Sequence, residues 1–206
     1  MTTKRPNPYI WITWLSKIMT GDTSCEWQSW FKTHNTGYDK VLSDFDLAKW
    51  KVEHTRLLRE LRMDLQGKST YTYLEGQNQF RYDLPSGATI SGTPDLICHG
   101  RDQIITVYDA KTGQQRASDQ IQVMLYMHFL PMCHDRYKNK SLDGCVVYNL
   151  QNRVSIDVKA VDKSFLDNVD YYLNILSSTT SPLKAPSKGE CKMCDIPIAD
   201  CPERIQ

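Results

Sequence analysis

SGTPDLICHGRDQIITVYDAKTG, from Ser91 to Gly113, is the stretch on which the reading of the fold turns. Its second half is rich in β-formers from Ile104 to Tyr108 and reads as a strand, which then carries Asp109 and Lys111 at its end. Residues i and i+2 of a strand share a face, so Asp109 and Lys111 project together and Ala110 points away. The first half reads as the preceding strand, with CHGRDQ as the turn between them. There Asp95 follows Thr93-Pro94, and a proline at that place breaks the ladder and frees the local backbone. If the two strands are neighbours, Asp95 and Asp109 converge. Two close carboxylates raise a pKa or recruit a cation. Magnesium and manganese favour such oxygen ligands. A lysine beside that metal can orient or deprotonate a water, or stabilise charge on a phosphate. Taken alone, D-x-K is a weak pattern that fits a plain ion pair at a strand end.

Upstream, SDFDLAKWKVEHTRLLRELRMDLQG predicts a helix from Ser43, as its N-cap, to Gly67 just past its end. Leu47, Trp50, His54, Leu57, Leu58, Leu61 and Leu65 recur at helical spacing. Pro8 to Tyr38 holds Trp11, Trp14, Trp27 and Trp30 and reads as helical with a break near Gly21. Trp11 and Trp14 suit either core packing or stacking on bases of a single strand. YTYLEGQNQFRYDL and ATISGTPDLI read as partner strands around a PSG turn. Downstream, SDQIQVMLYMHFL is a helix capped by Ser118 or Asp119, GCVVYNL and RVSIDVKAV form a hairpin, and SFLDNVDYYLNILSS is a last helix. Ser177 to Glu190 reads as a linker before a cysteine-rich tail. This order predicts a mixed α/β domain with a central, partly antiparallel sheet covered by helices.

The 206 residues suffice for one good-sized domain. Their organisation divides into an N-terminal helical region (1–42), a core (43–176) and a linker with tail (177–206), integrated as one domain. Hydrophobic content of 40% and charged content of 24% are ordinary for a globular protein. A formal net charge of +1 requires any basic surface to be local. No segment approaches the run of about 18 apolar residues a membrane span needs, and the start does not read as a signal peptide. The expected setting is therefore cytoplasmic, where clustered cysteines point to metal or redox chemistry rather than disulfides. Of seven cysteines, Cys191, Cys194 and Cys201 form C-x2-C-x6-C-P, a three-thiolate set that needs a fourth ligand. The outlying candidates for it are Cys25, Cys98, Cys133 and Cys145, of which the last three suit core positions and Cys25 sits among tryptophans.

Pro94-Asp95, Asp109-Ala110-Lys111 and, on the following helix, Gln122 to Tyr126 in QVMLY together resemble the PD-(D/E)XK nuclease superfamily in its RecB-type branch. His54 stands where that branch carries a histidine on an upstream helix. The resemblance implies a restriction-endonuclease-like core, a central mixed sheet flanked by helices. It implies that Asp95, Asp109, His54 and the carbonyl of Ala110 bind Mg2+ or Mn2+. Lys111 would activate the attacking water, and Gln122 and Tyr126 would contact the DNA strand or support the lysine. Asp109 stands where glutamate is more common. Cys25 with Cys191, Cys194 and Cys201 is similar to the one-plus-three cysteines of the iron–sulfur nucleases of that branch, which include helicase–nuclease subunits and CRISPR-associated exonucleases. That likeness implies a [4Fe-4S] cluster, with zinc as the alternative, clasping the N-terminal helices to the tail. The function so implied is exonuclease action on single-stranded DNA ends. Integrase proteins of CRISPR adaptation or a helicase are the implied partners, and no membrane is involved. A non-catalytic DNA-binding scaffold and a structure-specific endonuclease are the competing readings.

Overall fold

The structure, a computed structural model, describes residues 1–205. Strands β1 (Thr3–Lys4) and β2 (Tyr9–Trp11) precede helices α1 (Ile12–Thr20) and α2 (Glu26–His34). The break between the helices lies at Gly21, where φ is +75° and the left-handed conformation closes α1 without a Cβ penalty. Strand β2 departs from the helical reading of this region. Its partner, Thr89–Ser91, is remote in sequence and parallel to it, so no local pattern announces it. After β3 (Asn35–Thr36) comes α3 (Leu47–Gln66). It starts later than Ser43 because Asp46 caps it, Oδ1 accepting from the Lys49 N–H at 2.9 Å. Ser43 instead accepts from the N–H of Phe45.

The two long strands expected next are each broken. β4 (Ser69–Leu74) and β5 (Phe80–Asp83) are separated by the single-turn α4 (Glu75–Asn78). Asn78, fully buried, holds that break by donating to the carbonyls of Tyr73 at 2.9 Å and Pro94 at 3.3 Å. β6 (Thr89–Gly92) and β7 (Leu96–Gly100) are cut at Thr93–Asp95, where Pro94 has no N–H to give the ladder. There follow β8 (Ile105–Ala110), α5 (Ala117–Cys133), β9 (Leu142–Val147), β10 (Arg153–Ile156), α6 (Lys163–Ser177) and α7 (Lys188–Met193). Helix α5 is capped at Arg116, whose N–H donates to Asp119 at 3.0 Å. The expected linker is extended until Ser187, which caps α7.

The elements form three sheets rather than one. The main sheet runs β10-β9-β8-β7-β4, with β8 and β9 parallel and the other pairs antiparallel. A second, β2-β6-β5, lies apart from it, and β1 pairs β3. Period-two alternation splits the main sheet into two cores. Ile97, Ile105, Val107, Leu142 and Val146 join the larger one with α1, α5 and α6. Leu96, Cys98, Ala110, Cys145 and Val147 join the smaller one with Leu57, Leu61 and Leu65 of α3. Cys98 and Cys145 are thus core residues, as expected. The sheet is a central layer between helices, and the ends of β7 and β8 open between α3 and α5.

Candidate active site

Strands β7 and β8 are antiparallel with Leu96 opposite Tyr108 and Ile97 opposite Val107. One step further along that register sets Asp95 opposite Asp109, so the two acids converge as their spacing predicts. Both are buried, Asp109 at 2% exposure. Oδ2 of Asp95 accepts the N–H of Ala110 at 2.7 Å, which fixes one carboxylate against the backbone of the other strand. Lys111 continues the extended chain, its N–H bonded to Val147 at 2.9 Å, and its Nζ returns to 2.7 Å from Oδ2 of Asp109. Among the described residues, that ion pair is the one polar contact of Oδ2.

Helix α5 supplies the next layer. Gln122 and Tyr126 are four apart and share the face turned to the carboxylates. Gln122 accepts from Lys111 Nζ at 3.1 Å through Oε1, and donates through Nε2 to Asp109 at 3.1 Å and to the Tyr126 hydroxyl at 2.9 Å. Tyr126 in turn donates to the Thr93 carbonyl at 3.5 Å, in the loop that breaks β6 from β7. From the other side, α3 brings Nε2 of His54 to 3.3 Å from Oδ2 of Asp95. The His54 ring stacks on Trp50, centroids 4.9 Å apart. All the expected residues of this centre therefore meet in one network.

Burial pushes the Asp109 carboxyl up to about 6; the charge of Asp95 adds to this and Lys111 opposes it. Burial alone would lower the Lys111 ammonium, but Asp109, Asp95 and Asp119 outweigh it and hold it above its ordinary value. The hydrogen bond to Asp95 raises His54 against the effect of burial. Burial, with Asp109 and Asp95 nearby, pushes the Tyr126 phenol far up and keeps it neutral.

These groups line a cavity of about 990 Å³. Its wall also holds Trp11, Phe45, Lys49, Trp50, Lys51, Glu75 and Thr93. Of these, Glu75, Lys49, Lys51 and Phe45 escape the sequence reading. Trp50 was legible only as a member of the apolar stripe, four residues before His54. Among the described residues, no three His, Cys, Asp or Glu side chains stand close enough to hold a metal ion as placed. Even so, the donor set suits a hard divalent cation: Asp95 and Asp109 are buried carboxylates set opposite each other across β7 and β8, and Asp109 Oδ2 is engaged by the Lys111 ammonium alone.

The second expected centre lies elsewhere. Cys25, Cys191, Cys194 and Cys201 line one small hollow of about 20 Å³, together with Lys184, Glu190 and Arg204. The sulfur of Cys25 accepts from the N–H of Ala185 at 3.5 Å, and that of Cys191 from the N–H of Ile205 at 3.4 Å. Burial pushes the Cys194 and Cys201 thiols up, opposed at Cys194 first by the N–H of Ile196 and at Cys201 first by Lys184. The N-terminal helices and the tail are joined here by polar contacts as well. Glu190 accepts from Ser24 at 2.8 Å and Gln28 at 3.0 Å, and Asp195 pairs with Lys32 at 2.6 Å. Ile196 is fully buried beside Trp27 and Phe31. Backbone N–H donors and two cations around four thiols suit a group bound by four thiolates.

Compared with known proteins, residues 22–198 match a family model described as the PD-(D/E)XK nuclease superfamily. A solved structure titled "Crystal structure of SSO0001" is similar with a TM-score of 0.51 at 17% identity, covering 99% of this chain and 90% of that one. At that identity the likeness concerns the fold alone. No curated protein matches the chain.

Proposed function

The chain belongs to the PD-(D/E)XK nuclease superfamily, and from that premise we propose that it is an exonuclease hydrolysing single-stranded DNA from its ends. Membership implies a metal-dependent nuclease acting on DNA; the preference for ends and single strands is our reading. The observation that carries the nuclease reading is the network joining His54, Asp95, Asp109, Lys111, Gln122 and Tyr126 on the wall of an open cavity. Asp95, Asp109, His54 and the Ala110 carbonyl are the groups that would hold Mg2+ or Mn2+. Once bound, such an ion polarises the phosphodiester and lowers the pKa of a water.

The chain's own residues do the rest. The Lys111 ammonium orients the attacking water and lies against the charge that develops on phosphate. Gln122 fixes that ammonium from one side and Asp109 from the other. Tyr126, kept neutral, holds Gln122 in register without adding charge. Trp11, Phe45 and Trp50 on the cavity wall offer faces on which unpaired bases stack, and this favours a single strand. A scaffold that only bound DNA would have no physical need of two buried carboxylates, which are costly to keep.

The four cysteines are proposed to hold a [4Fe-4S] cluster, with zinc as the alternative metal in the same thiolates. The N–H donors at Cys25 and Cys191, and the nearby Lys184 and Arg204, support a negatively charged group there. A role beside an integrase or a helicase rests on the family resemblance alone. The decisive experiment compares linear and circular single-stranded DNA of one sequence in Mg2+ or Mn2+. Digestion of the linear form with the circle left intact is the expected result, and equal digestion of both makes the protein an endonuclease.

A further inference from the structure

The exposed face of α3 is divided by charge. At 3.6 residues per turn, Lys51, Thr55, Arg59 and Arg62 fall on one flank of the helix. Glu53, Glu60 and Asp64 fall on the other. The carboxylate flank is engaged: Glu60 with Arg56 at 3.9 Å, Glu53 with Lys49 at 4.0 Å, and Asp64 with Lys68 at 3.5 Å and Arg153 at 3.0 Å. Lys51, Arg59 and Arg62 are exposed, and among the described residues none of them has a salt-bridge partner. A helix face that serves only solubility intersperses the two signs so that i,i+4 pairs form. Here one sign is left free along a whole flank.

That flank starts at the active site. Lys51 and Thr55 line the wall of the large cavity. They also line a groove of about 370 Å³ that continues past Val52 and Arg56 to Arg59. Every charged side chain lining this groove is a cation. From Lys51 to Arg62 the helix rises about 16 Å, at 1.5 Å per residue. Such a row neutralises successive phosphates without reading sequence, and guanidinium groups suit phosphate oxygens.

We infer that a DNA strand engaged at the active site runs out along this flank of α3, with its phosphates against Lys51, Arg59 and Arg62. The inference rests on the nuclease reading. It adds a binding track outside the cavity, on a helix whose other face packs the sheet.

The test is the salt dependence of binding a labelled 20-nucleotide single strand in EDTA, alongside a cleavage assay of the unaltered protein. Each phosphate contact on a single strand contributes about 0.7 to the slope of log affinity against log salt. The triple variant Lys51→Gln, Arg59→Gln, Arg62→Gln is expected to flatten the slope by about 2 and to weaken binding roughly 100-fold near 0.1 M salt. A charge-keeping variant, Lys51→Arg, Arg59→Lys, Arg62→Lys, retains the slope, which separates charge from shape. Lys140→Gln serves as a control, because Lys140 lies near His99, toward the end of β7 away from Asp95. An unchanged slope in the triple variant, with normal binding and cleavage by the unaltered protein, overturns the track and leaves the nuclease reading standing. Failure of the unaltered protein both to bind and to cleave overturns the nuclease reading and the track with it.

Discussion

The side-chain nitrogen of Gln122 lies 3.1 Å from Oδ1 of Asp109, thirteen residues away, while the oxygen of the same amide lies 3.1 Å from Nζ of Lys111. An amide has one acceptor and one donor end, so this double contact fixes its orientation. It also sets the distance between the carboxylate and the ammonium, the two groups on which the proposed chemistry depends. Gln122→Ala removes this spacer without unpairing the Asp109–Lys111 contact. The variant is expected to fold and to lose about 10- to 100-fold in kcat, in the range found for groups that orient metal ligands. Gln122→Glu sets a third carboxylate against Asp109 and should be worse than alanine. Steady-state kinetics on a single-stranded oligonucleotide decide between these outcomes.

Gly92 ends β6 beneath the same network. A Cβ there would stand 2.7 Å from Cε1 of Tyr126, 2.8 Å from Cγ1 of Ile12 and 2.9 Å from Cε1 of Phe80. All three neighbours are buried, so none moves freely. Gly92→Ala is expected to cost about 1–3 kcal/mol through overpacking. Because the displaced ring carries the hydroxyl that holds Gln122, activity should fall further than stability predicts. Thermal melting and kcat measured on one preparation separate the two losses.

Four histidines outside the candidate site each favour the folded state at higher pH, against His54 and Asp109, which hold their protons more tightly when folded. Burial lowers the pKa of His34, His99, His128 and His134 in the folded state. A histidine with a depressed folded pKa binds its proton more readily when unfolded, so stability rises with pH wherever the unfolded state carries the extra proton. The stability they contribute is complete above the unfolded value near 6.5 and is lost as pH falls below it. Denaturant midpoints should therefore decline from about pH 6.5 downward, and His128→Gln should blunt that decline. An identical pH dependence in the unaltered protein and His128→Gln contradicts this.

The cysteine centre predicts its own chemistry. Anaerobically prepared protein is expected to be brown and to carry iron with acid-labile sulfide, and Cys191→Ala should lose both along with much of the soluble protein. Colourless protein with stoichiometric zinc would assign the thiolates to zinc instead. Either result leaves Ile196 and the Asp195–Lys32 pair to join the tail to α2, so a chelator should loosen the tail before it unfolds the sheet.

The side-chain groupings of the candidate site were more legible in the sequence than the fold around them. Asp109 and Lys111 are two apart on one strand, and Gln122 and Tyr126 are four apart on one helix, so local periodicity alone gives each pair its shared face. The convergence of Asp95 on Asp109 needed only that consecutive strands pair. The non-local features were not readable in that way. Tyr9–Trp11 joins Thr89–Ser91 across most of the N-terminal half, and no neighbouring residue signals it. Pro94 announced a break, but not that β6 and β7 would enter different sheets. Ser43 and Asp46 are both good caps, and only the path of the chain before α3 chooses Asp46. The cationic flank of α3 was present in the sequence as helical spacing. Its meaning depended on the cavity that Lys51 and Thr55 turned out to border.

The most direct measurement is cleavage of end-labelled single-stranded DNA in Mg2+, in Mn2+ and in EDTA, with unaltered protein beside Lys111→Ala. Lys111 is half-buried and lies outside both cores, so the variant should keep its fold, checked by its melting curve. The account predicts metal-dependent cleavage that EDTA abolishes and that Lys111→Ala reduces by about 100- to 1000-fold, the size of effect seen when one group stabilising transition-state charge is removed. Cleavage that persists undiminished in a folded Lys111→Ala variant, or DNA bound but never cut under any of the three conditions, would contradict the assignment of Asp95, Asp109 and Lys111 as the catalytic centre.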